Sequence, residues 1–309
     1  MRVHLDTDIG SDTDDLCALA MLLGWPGVDV VAVTTNTDPG GRRAGYATYA
    51  LRLAGREDIP VIAGAEGTLS EPIVPFAFPE YWPEPIAPKP SAPDATIGVL
   101  AESVRSGAMI VTIGPLTNLA LLEVMRPGSL RRAELVMMGG HVTEPRDGSP
   151  PVGVHEDFNV QQDRLAASIV LRSGSPLVVP VGITVEVALR GMHLPRLRDA
   201  GPIGRLIADQ AEARARDEGM ADLARRFHGL PPDLLNFQHD PLACAVAVGW
   251  DGVEVEEIPT ALELRDDRLW MTRREGAPPL RVVTAVDAPR FEEVWLQAVE
   301  RASRAVSRP

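Results

Sequence analysis

Short runs of apolar residues alternate along the N-terminal part of the chain with longer stretches in which apolar positions recur at helical spacing. Such runs are typical of strands buried on both faces of a parallel sheet, and the helical stretches supply the crossovers. We therefore predict an α/β fold with an open, doubly wound, mostly parallel sheet. The predicted strands are Val3–Leu5, Val28–Thr34, Ile59–Ala63, Ala108–Ile113, Leu135–Met138 and Leu177–Val181, and the predicted helices are Asp14–Leu23, Arg42–Ala54, Leu116–Met125 and Arg164–Ser173.

The rest of the chain follows other patterns. Glu71–Pro93 contains eight prolines and several aromatic residues, which exclude a helix or a central strand and predict a long surface loop near the cleft. A charge-rich stretch from Pro202 to about Phe227 predicts a helix with a solvated face. Residues 253–286 alternate in polarity and predict a small C-terminal antiparallel extension, followed by a final helix from about Pro289. We expect residues 1–309 to form a single domain.

Composition narrows the class of partner. The formal charge is −13 over 309 residues, which argues against nucleic acid because polyanions are held mainly through Lys and Arg. Both cysteines, Cys17 and Cys244, lie in apolar helical patterns, as expected in a reducing compartment. We predict neither a leader nor a membrane-spanning segment. A cytoplasmic protein with a small-molecule partner is therefore expected.

Five acidic residues crowd the segment 6–15, which begins in a strand, turns at Gly10 and enters a helix. Carboxylates this close repel one another and raise one another's pKa unless a cation or strong donors compensate. Carboxylate oxygens are hard ligands that suit Ca²⁺ or Mg²⁺. A bound divalent metal is thus the economical interpretation of the cluster, whose members are Asp6, Asp8, Asp12, Asp14 and Asp15.

Helix capping is the alternative interpretation, because Asp is stabilised at the N-cap and in the first helical turn. Capping accounts for one or two carboxylates and remains open for Asp12. An EF-hand loop also begins with alternate Asp residues, but the twelfth position counted from Asp6 is Cys17 rather than a bidentate Glu. The metal interpretation therefore needs ligands from elsewhere in the chain.

Two further segments offer such ligands. Asp240 opens an apolar helix, where it serves either as a metal ligand or as an N-cap preceding Pro241. Residues 110–118 form a strand that turns into a helix, and main-chain carbonyls at such a strand end can coordinate a metal. Both segments place polar groups at an end of a predicted element, where ligands bind in open α/β sheets.

Taken together, these segments resemble the nucleoside hydrolase family, which includes inosine-uridine-preferring and ribonucleoside hydrolases. The resemblance extends over most of the chain. It implies an α/β fold, a tightly bound Ca²⁺, hydrolysis of the bond between ribose and base, and a homodimer or homotetramer. The motifs that carry it are DTDIGSDTDD (6–15), GPLTN (114–118), MGG (138–140), DFN (157–159) and HDP (239–241).

The resemblance implies a set of metal ligands. Asp8 matches the acid that binds Ca²⁺ and acts as general base on the attacking water. Asp15 matches a bidentate Ca²⁺ ligand, and the main-chain carbonyl of Ile113 falls where the family uses a backbone oxygen. Asp240 matches the remaining ligand.

It also implies a set of substrate contacts. Asp14 matches an acid that holds a ribose hydroxyl, and Asn159 matches a ribose-binding Asn. Asp157 stands where the family usually has Glu, and we expect it to bind substrate. His239 faces the base or the leaving group in some members, so we list it with both the catalytic and the substrate-binding residues.

Several positions depart from the family pattern. The acid pair lies two residues further from Gly10 than usual, which leaves Asp12 without an assigned role. Asp38, or alternatively Asn36, is expected to take a ribose contact. A ribose-side Asn has no counterpart near Pro150, and His155 or Glu156 are the candidates to compensate.

Hydrolysis of a riboside passes through an oxocarbenium-like state, with positive charge on the sugar and negative charge on the departing base. Carboxylates favour the sugar cation. Candidates to assist the base are His239, His228, Tyr81 and Trp82.

Two other functions remain open at this point. A haloacid-dehalogenase-like Mg²⁺ phosphatase also places Asp-x-Asp after its first strand, although Gly10 stands where that motif has Thr or Val. A non-catalytic Ca²⁺-dependent ribose-binding module would need no general base at Asp8.

Overall fold

A nine-stranded sheet forms the centre of the computed structural model, which describes residues 1–74, 81–83, 85–92 and 94–304. A separate two-stranded sheet, formed by Ala188–Arg190 and Leu234–Phe237, was not predicted. The strands are β1 (Arg2–Thr7), β2 (Asp29–Thr35), β3 (Val61–Ala63), β4 (Met109–Thr112), β5 (Glu134–Met138), β6 (Leu177–Val179), β7 (Ala188–Arg190), β8 (Leu234–Phe237), β9 (Val253–Arg265), β10 (Arg268–Arg273) and β11 (Pro279–Val286).

The strand order is β10-β9-β11-β6-β5-β4-β1-β2-β3. Strands β1 to β6 pair in parallel, and β1 lies between β2 and β4. The chain therefore builds the sheet outward from β1 to β3 and returns to continue from β4, which makes the β1–β4 boundary a topological switch point. This confirms the doubly wound prediction. The predicted antiparallel extension joins the same sheet, because β11 pairs in parallel with β6 and antiparallel with β9.

The four predicted crossover helices and the final helix agree with observed helices to within one residue at each predicted end. The helices Ala95–Arg105, Phe158–Gln162 and Leu194–Asp199 were not predicted. Two differences have local causes. Pro180 ends β6, so that Val181 begins a short helix instead of ending the strand, and Gly219, at φ 64°, divides the predicted polar helix. The helices are α1 (Asp14–Gly24), α2 (Arg42–Leu53), α3 (Ala95–Arg105), α4 (Thr117–Met125), α5 (Phe158–Gln162), α6 (Arg164–Ser173), α7 (Val181–Thr184), α8 (Leu194–Asp199), α9 (Gly201–Asp217), α10 (Met220–Arg226), α11 (His239–Ala247) and α12 (Ala288–Arg304).

Helices cover both faces of the sheet. Successive residues of a strand point to opposite faces, and in β4 Val111 joins a core with α1, α11 and α12, whereas Ile110 joins a core with α3, α4 and α6. Full burial of an aliphatic or aromatic side chain such as Phe291 contributes roughly 1.5–3 kcal/mol. Within the described residues, no helix combines the length and apolar character needed to cross a membrane.

The described part of the predicted loop Glu71–Pro93 lies against the acidic segment. The ring of Trp82 stacks on Tyr46, with centroids 4.5 Å apart, and its Nε1 donates to the carbonyl of Gly10 at 3.4 Å. Residues 75–80, 84 and 93 of this loop lie outside the described residues. The loop thus borders the turn that follows β1.

Candidate active site

The acidic segment begins at the C-terminal end of β1, beside the switch point. Gly10 permits its turn: its φ is 128°, and a Cβ there would lie 2.5 Å from the Tyr46 ring. The hydroxyl of Thr7 accepts a hydrogen bond from the backbone N–H of Ile9 and donates one to Asp15. These contacts fold the segment back so that the acids after β1 and those in the first turn of α1 face one space.

Three buried carboxylates meet in that space. Oxygens of Asp14, Asp15 and Asp240 all lie within 4.8 Å of one another. Burial, together with repulsion from neighbouring acids, raises the pKa of each carboxyl well above its usual range. Asp240 comes from the first turn of α11, which packs against α1. An all-oxygen, mutually repelling group of this kind fits a hard divalent cation.

Asp8 lies next to this cluster and is 8% exposed. Burial raises the pKa of its carboxyl, and the guanidinium of Arg43, with Nη2 3.9 Å from Oδ2, opposes that rise. Arg43 is itself buried, and it donates to the carbonyls of Thr37 at 3.0 Å and Ile9 at 3.2 Å. Arg43 was not predicted as a partner of Asp8, because it lies on α2, far along the chain from the acidic motif.

Asp6, the first acid of the segment, has a different environment. Its two oxygens accept hydrogen bonds from Asn118 at 2.7 Å, Thr34 at 2.6 Å, Asn36 at 3.0 Å and Thr112 at 3.4 Å. Burial still raises the pKa of Asp6 to about 6, against the effect of these donors. Asp6 therefore joins β1 to β2, β4 and α4 and does not face the cavity.

The cavity above the carboxylates has a volume of about 320 Å³, which is at the lower end of the range for small-molecule sites. It brings together most of the predicted site residues. One part of its wall is apolar and comes from Met138, Phe158 and Val181. Ile113 also lines the cavity, and the polar lining comprises Asp8, Ser11, Asp12, Asp14, Asp15, Glu156, Asn159, Arg214, His239 and Asp240.

His239 borders the cavity at the start of α11. Its Nδ1 lies 2.6 Å from the hydroxyl of Thr184. Burial lowers the pKa of the imidazole to about 4; the charge of Asp12 opposes this shift and that of Arg214 adds to it. The ring is therefore neutral near pH 7, and Thr184 fixes its orientation.

Ile113 and Asn159 meet at the ends of β4 and β5. The side-chain amide of Asn159 donates to the carbonyl of Ile113 at 3.0 Å and to that of Met138 at 3.3 Å. A carbonyl has two lone pairs, so the Ile113 oxygen keeps one for a further partner. Both residues lie where the sequence predicted site residues.

The structure does not bring Asp38 to the cavity. Its carboxylate is fully buried and accepts hydrogen bonds from the backbone N–H groups of Arg43 and Ala44 and from the hydroxyl of Thr35. It thus caps α2 and does not border the cavity. The alternative, Asn36, is also fully buried and points to Asp6.

Asp157 also lies outside the cavity lining. Its carboxylate is fully buried and accepts from the backbone N–H of Gly140 at 3.1 Å, and it lies 2.8 Å from Nδ1 of His141. The preceding residue, Glu156, borders the cavity instead. Asp157 therefore fixes the turn after β5, while Glu156 and Asn159 face the substrate space.

Three of the candidates to assist the base lie outside the lining. Among the described residues, Tyr81 donates to Asp217 at 2.7 Å and Trp82 stacks on α2. His228 packs beside Gly148. Of the four candidates, only His239 lines the cavity.

Asp12, which had no predicted role, forms an ion pair. Its Oδ2 lies 2.8 Å from Nη2 of Arg214, and its Oδ1 accepts from Asn236 at 2.6 Å. Arg214 lies on α9, 202 positions further along the chain, so the spacing of motifs did not connect the two. The pair joins the acidic turn to α9 and β8.

Comparisons with known proteins agree with this geometry. The family model described as inosine-uridine preferring nucleoside hydrolase matches residues 3–293. The pyrimidine-specific ribonucleoside hydrolase RihA of Salmonella paratyphi B is 31% identical over 321 aligned positions, which cover 97% of this chain and 98% of that protein.

Two solved structures share the fold. The purine-preferring ribonucleoside hydrolase of Gardnerella vaginalis superposes with a TM-score of 0.81 at 20% identity, over 99% of this chain and 100% of the other. A plant nucleoside hydrolase, PpNRh1, gives a TM-score of 0.76 at 23% identity, over 97% and 98% of the two chains. With the match to the family model over nearly the whole chain, these results show that the chain belongs to the inosine-uridine preferring nucleoside hydrolase family and is a hydrolase acting on N-glycosyl compounds.

Proposed function

We propose that this protein catalyses the Ca²⁺-dependent hydrolysis of the N-glycosidic bond of ribonucleosides, which releases ribose and free base. The observation that carries the proposal is the buried group of Asp14, Asp15 and Asp240 beside Asp8, within one cavity. Carboxylate and carbonyl oxygens suit Ca²⁺, which accepts six to eight oxygen ligands at roughly 2.3–2.6 Å in flexible geometry.

We assign the metal ligands to Asp8, Asp15, Asp240 and the carbonyl of Ile113. When bound, the cation orients the ribose diol and lowers the pKa of the attacking water. Asp8 then accepts the proton of that water. Its carboxylate lines the cavity, so it can contact that water directly.

The other side chains bind and orient the substrate. Asp14 is assigned to a ribose hydroxyl, and Asn159, which also lines the cavity, to the sugar. The carboxylates favour the positive charge that develops on the ribose. His239 is assigned to the base side, where its neutral ring contacts the departing base.

Asp8→Asn is the direct test. It keeps the size of the side chain and removes the proton acceptor, so turnover at saturating calcium should fall by about 10²–10⁴-fold. Free base and ribose are measured together, and calorimetry confirms calcium loading. The control is Asp58→Asn, at a surface position where the side chain is 64% exposed. Wild-type turnover in a calcium-loaded Asp8→Asn protein would refute the assigned mechanism. A wild-type protein that binds ribose but releases no base would favour a ribose-binding module.

The phosphatase alternative is set aside, because the family model spans residues 3–293. The relatives named above are described as pyrimidine-specific in one case and purine-preferring in another. A panel of purine and pyrimidine ribonucleosides, with free base measured, identifies the preferred base.

We further propose that residues 1–309 act as one domain in a cytoplasmic homodimer or homotetramer, without nucleic-acid or membrane partners. The net charge of −13 and the two buried free thiols support this setting. Light scattering on the purified protein measures the number of subunits.

A further inference from the structure

Arg214 is the one permanently cationic side chain among the described residues that line the cavity. It extends from α9, and its side chain is 19% exposed. Its Nη1 donates to the carbonyl of Ser11 at 3.1 Å, and its Nη2 lies 2.8 Å from the carboxylate of Asp12. A guanidinium carries five N–H donors, so donors remain for a ligand in the cavity.

Asp12 holds this guanidinium in place. One of its oxygens faces Arg214, and the other accepts from the side chain of Asn236 and from the backbone N–H of Thr13, both at 2.6 Å. Asp12 lies between Gly10 and the acid pair Asp14 and Asp15, so the acidic turn itself supplies the counter-ion for a cation on α9.

The sign of the charge limits what Arg214 can do. Positive charge builds on the ribose in the transition state, and a guanidinium directed at that sugar would oppose it. Negative charge builds on the base as the glycosidic bond breaks. A cation in this cavity assists the reaction only if it contacts the departing base.

We propose that Arg214 is a catalytic residue that donates hydrogen bonds to the departing base and stabilises its negative charge. Asp12 is its positioning residue. This proposal rests on the proposed function. The electron pair of the broken bond leaves with the base nitrogen, and the water oxygen bonds to the anomeric carbon. The water proton passes to Asp8, and the departed base takes a proton from solvent.

Two substrates that differ in their leaving group test this role. Arg214→Met keeps the length of the side chain and removes its charge and donors. On a ribonucleoside, kcat should fall by about 100-fold, the usual effect of removing one transition-state donor. On p-nitrophenyl β-D-riboside, whose leaving anion is already stable, the loss should be much smaller. Arg214→Lys should restore part of the nucleoside activity, and Asp12→Asn should show the same selectivity with a smaller loss.

The control is Arg216→Met, an exposed position on the same helix, which should retain wild-type rates on both substrates. Calcium calorimetry on each variant shows whether the metal site is intact. Equal losses of Arg214→Met on both substrates, or a loss confined to KM, would overturn the assignment while leaving the proposed function standing. A wild-type protein that cleaves neither substrate would instead overturn the proposed function.

Discussion

Replacing Gly114 with alanine would test the position of Asp8 without altering any polar group. Gly114 follows Ile113 where the chain turns from β4 towards α4. An alanine Cβ there would lie 2.6 Å from Oδ1 of Asp8 and 2.9 Å from Nδ2 of Asn36. Gly114 is not among the glycines with a left-handed φ, so alanine can adopt its backbone conformation. The conflict is therefore with Asp8 and Asn36 themselves.

The size of the effect follows from these distances. Ordinary van der Waals contact begins at 3.4 Å, so the Asp8 oxygen must move by about 0.8 Å, and misplacing a reacting group by about 1 Å can cost 10²-fold in rate. We therefore expect kcat to fall by about 100-fold. Crowding of this kind lowers the free energy of unfolding by about 1–3 kcal/mol, which leaves the protein folded at room temperature.

The assay measures base release at saturating calcium, together with thermal unfolding. Gly98→Ala is the matched control, because a Cβ at this exposed position of α3 meets no atom within 4 Å. It should keep wild-type turnover and gain roughly 0.5–1 kcal/mol of stability as a helical glycine replaced by alanine. If Gly114→Ala turned over substrate at a rate close to that of the wild type, the argument that Gly114 fixes the reactive position of Asp8 would be refuted.

Two further predictions concern metal binding and pH. Asp240→Ala should weaken Ca²⁺ binding, measured by calorimetry, by at least about 10-fold, whereas exposed Asp222→Ala should not; unchanged affinity in Asp240→Ala would contradict its assignment as a ligand. Burial lowers the pKa of His4 to about 3, between the hydroxyls of Ser103 and Thr34. The buried, neutral His4 therefore makes its full contribution to the free energy of unfolding above pH 6.5. That contribution is lost as the pH falls towards 3, because only the unfolded chain takes up the proton. Relative to His4→Gln, the wild-type free energy of unfolding in urea should fall by about 2 kcal/mol from neutral pH to pH 5; a difference independent of pH would show that His4 titrates normally.

The parallel strands were predictable because a strand buried on both faces is a continuous apolar run. The prediction for Ala108–Ile113 differs from β4 by one residue at each end. Asp14 and Asp240 were predictable for a related reason: each is an acid at the start of an apolar helix, and the helix of Asp14 follows a predicted strand. The starts of the predicted helices therefore indicated where residues of the cavity would lie.

Side-chain direction at the helix starts could not be predicted. Glu156 and Asp157 are adjacent acids, and the backbone turn before α5 decides which of them faces the cavity. Asp38 lies after a strand, as a site residue should, but the free N–H groups of α2 take its oxygens. Sequence position cannot distinguish a cap from a ligand at such places, because both require an acid.

The roles of Arg43 and Arg214 could not be predicted, because the pattern of each helix accounts for its arginine without a partner in the acidic segment. Arg214 lies in a charge-rich helix, where an arginine is expected on a solvated face. Arg43 lies in the first turn of α2 and was assigned no partner. Each meets its carboxylate, Asp12 or Asp8, only through the tertiary fold.

The acids of segment 6–15 share the same chemistry, but their surroundings give them three different roles. Asp6 is surrounded by neutral donors and needs no cation. Asp12 has a guanidinium. Asp14 and Asp15 lie instead against further carboxylates, and burial and repulsion raise their pKa values. Asp14, Asp15 and Asp240 therefore concentrate more negative charge than Arg43 and Arg214 offset. Under the proposed function, a divalent cation and the positively charged sugar of the transition state would be stabilised there.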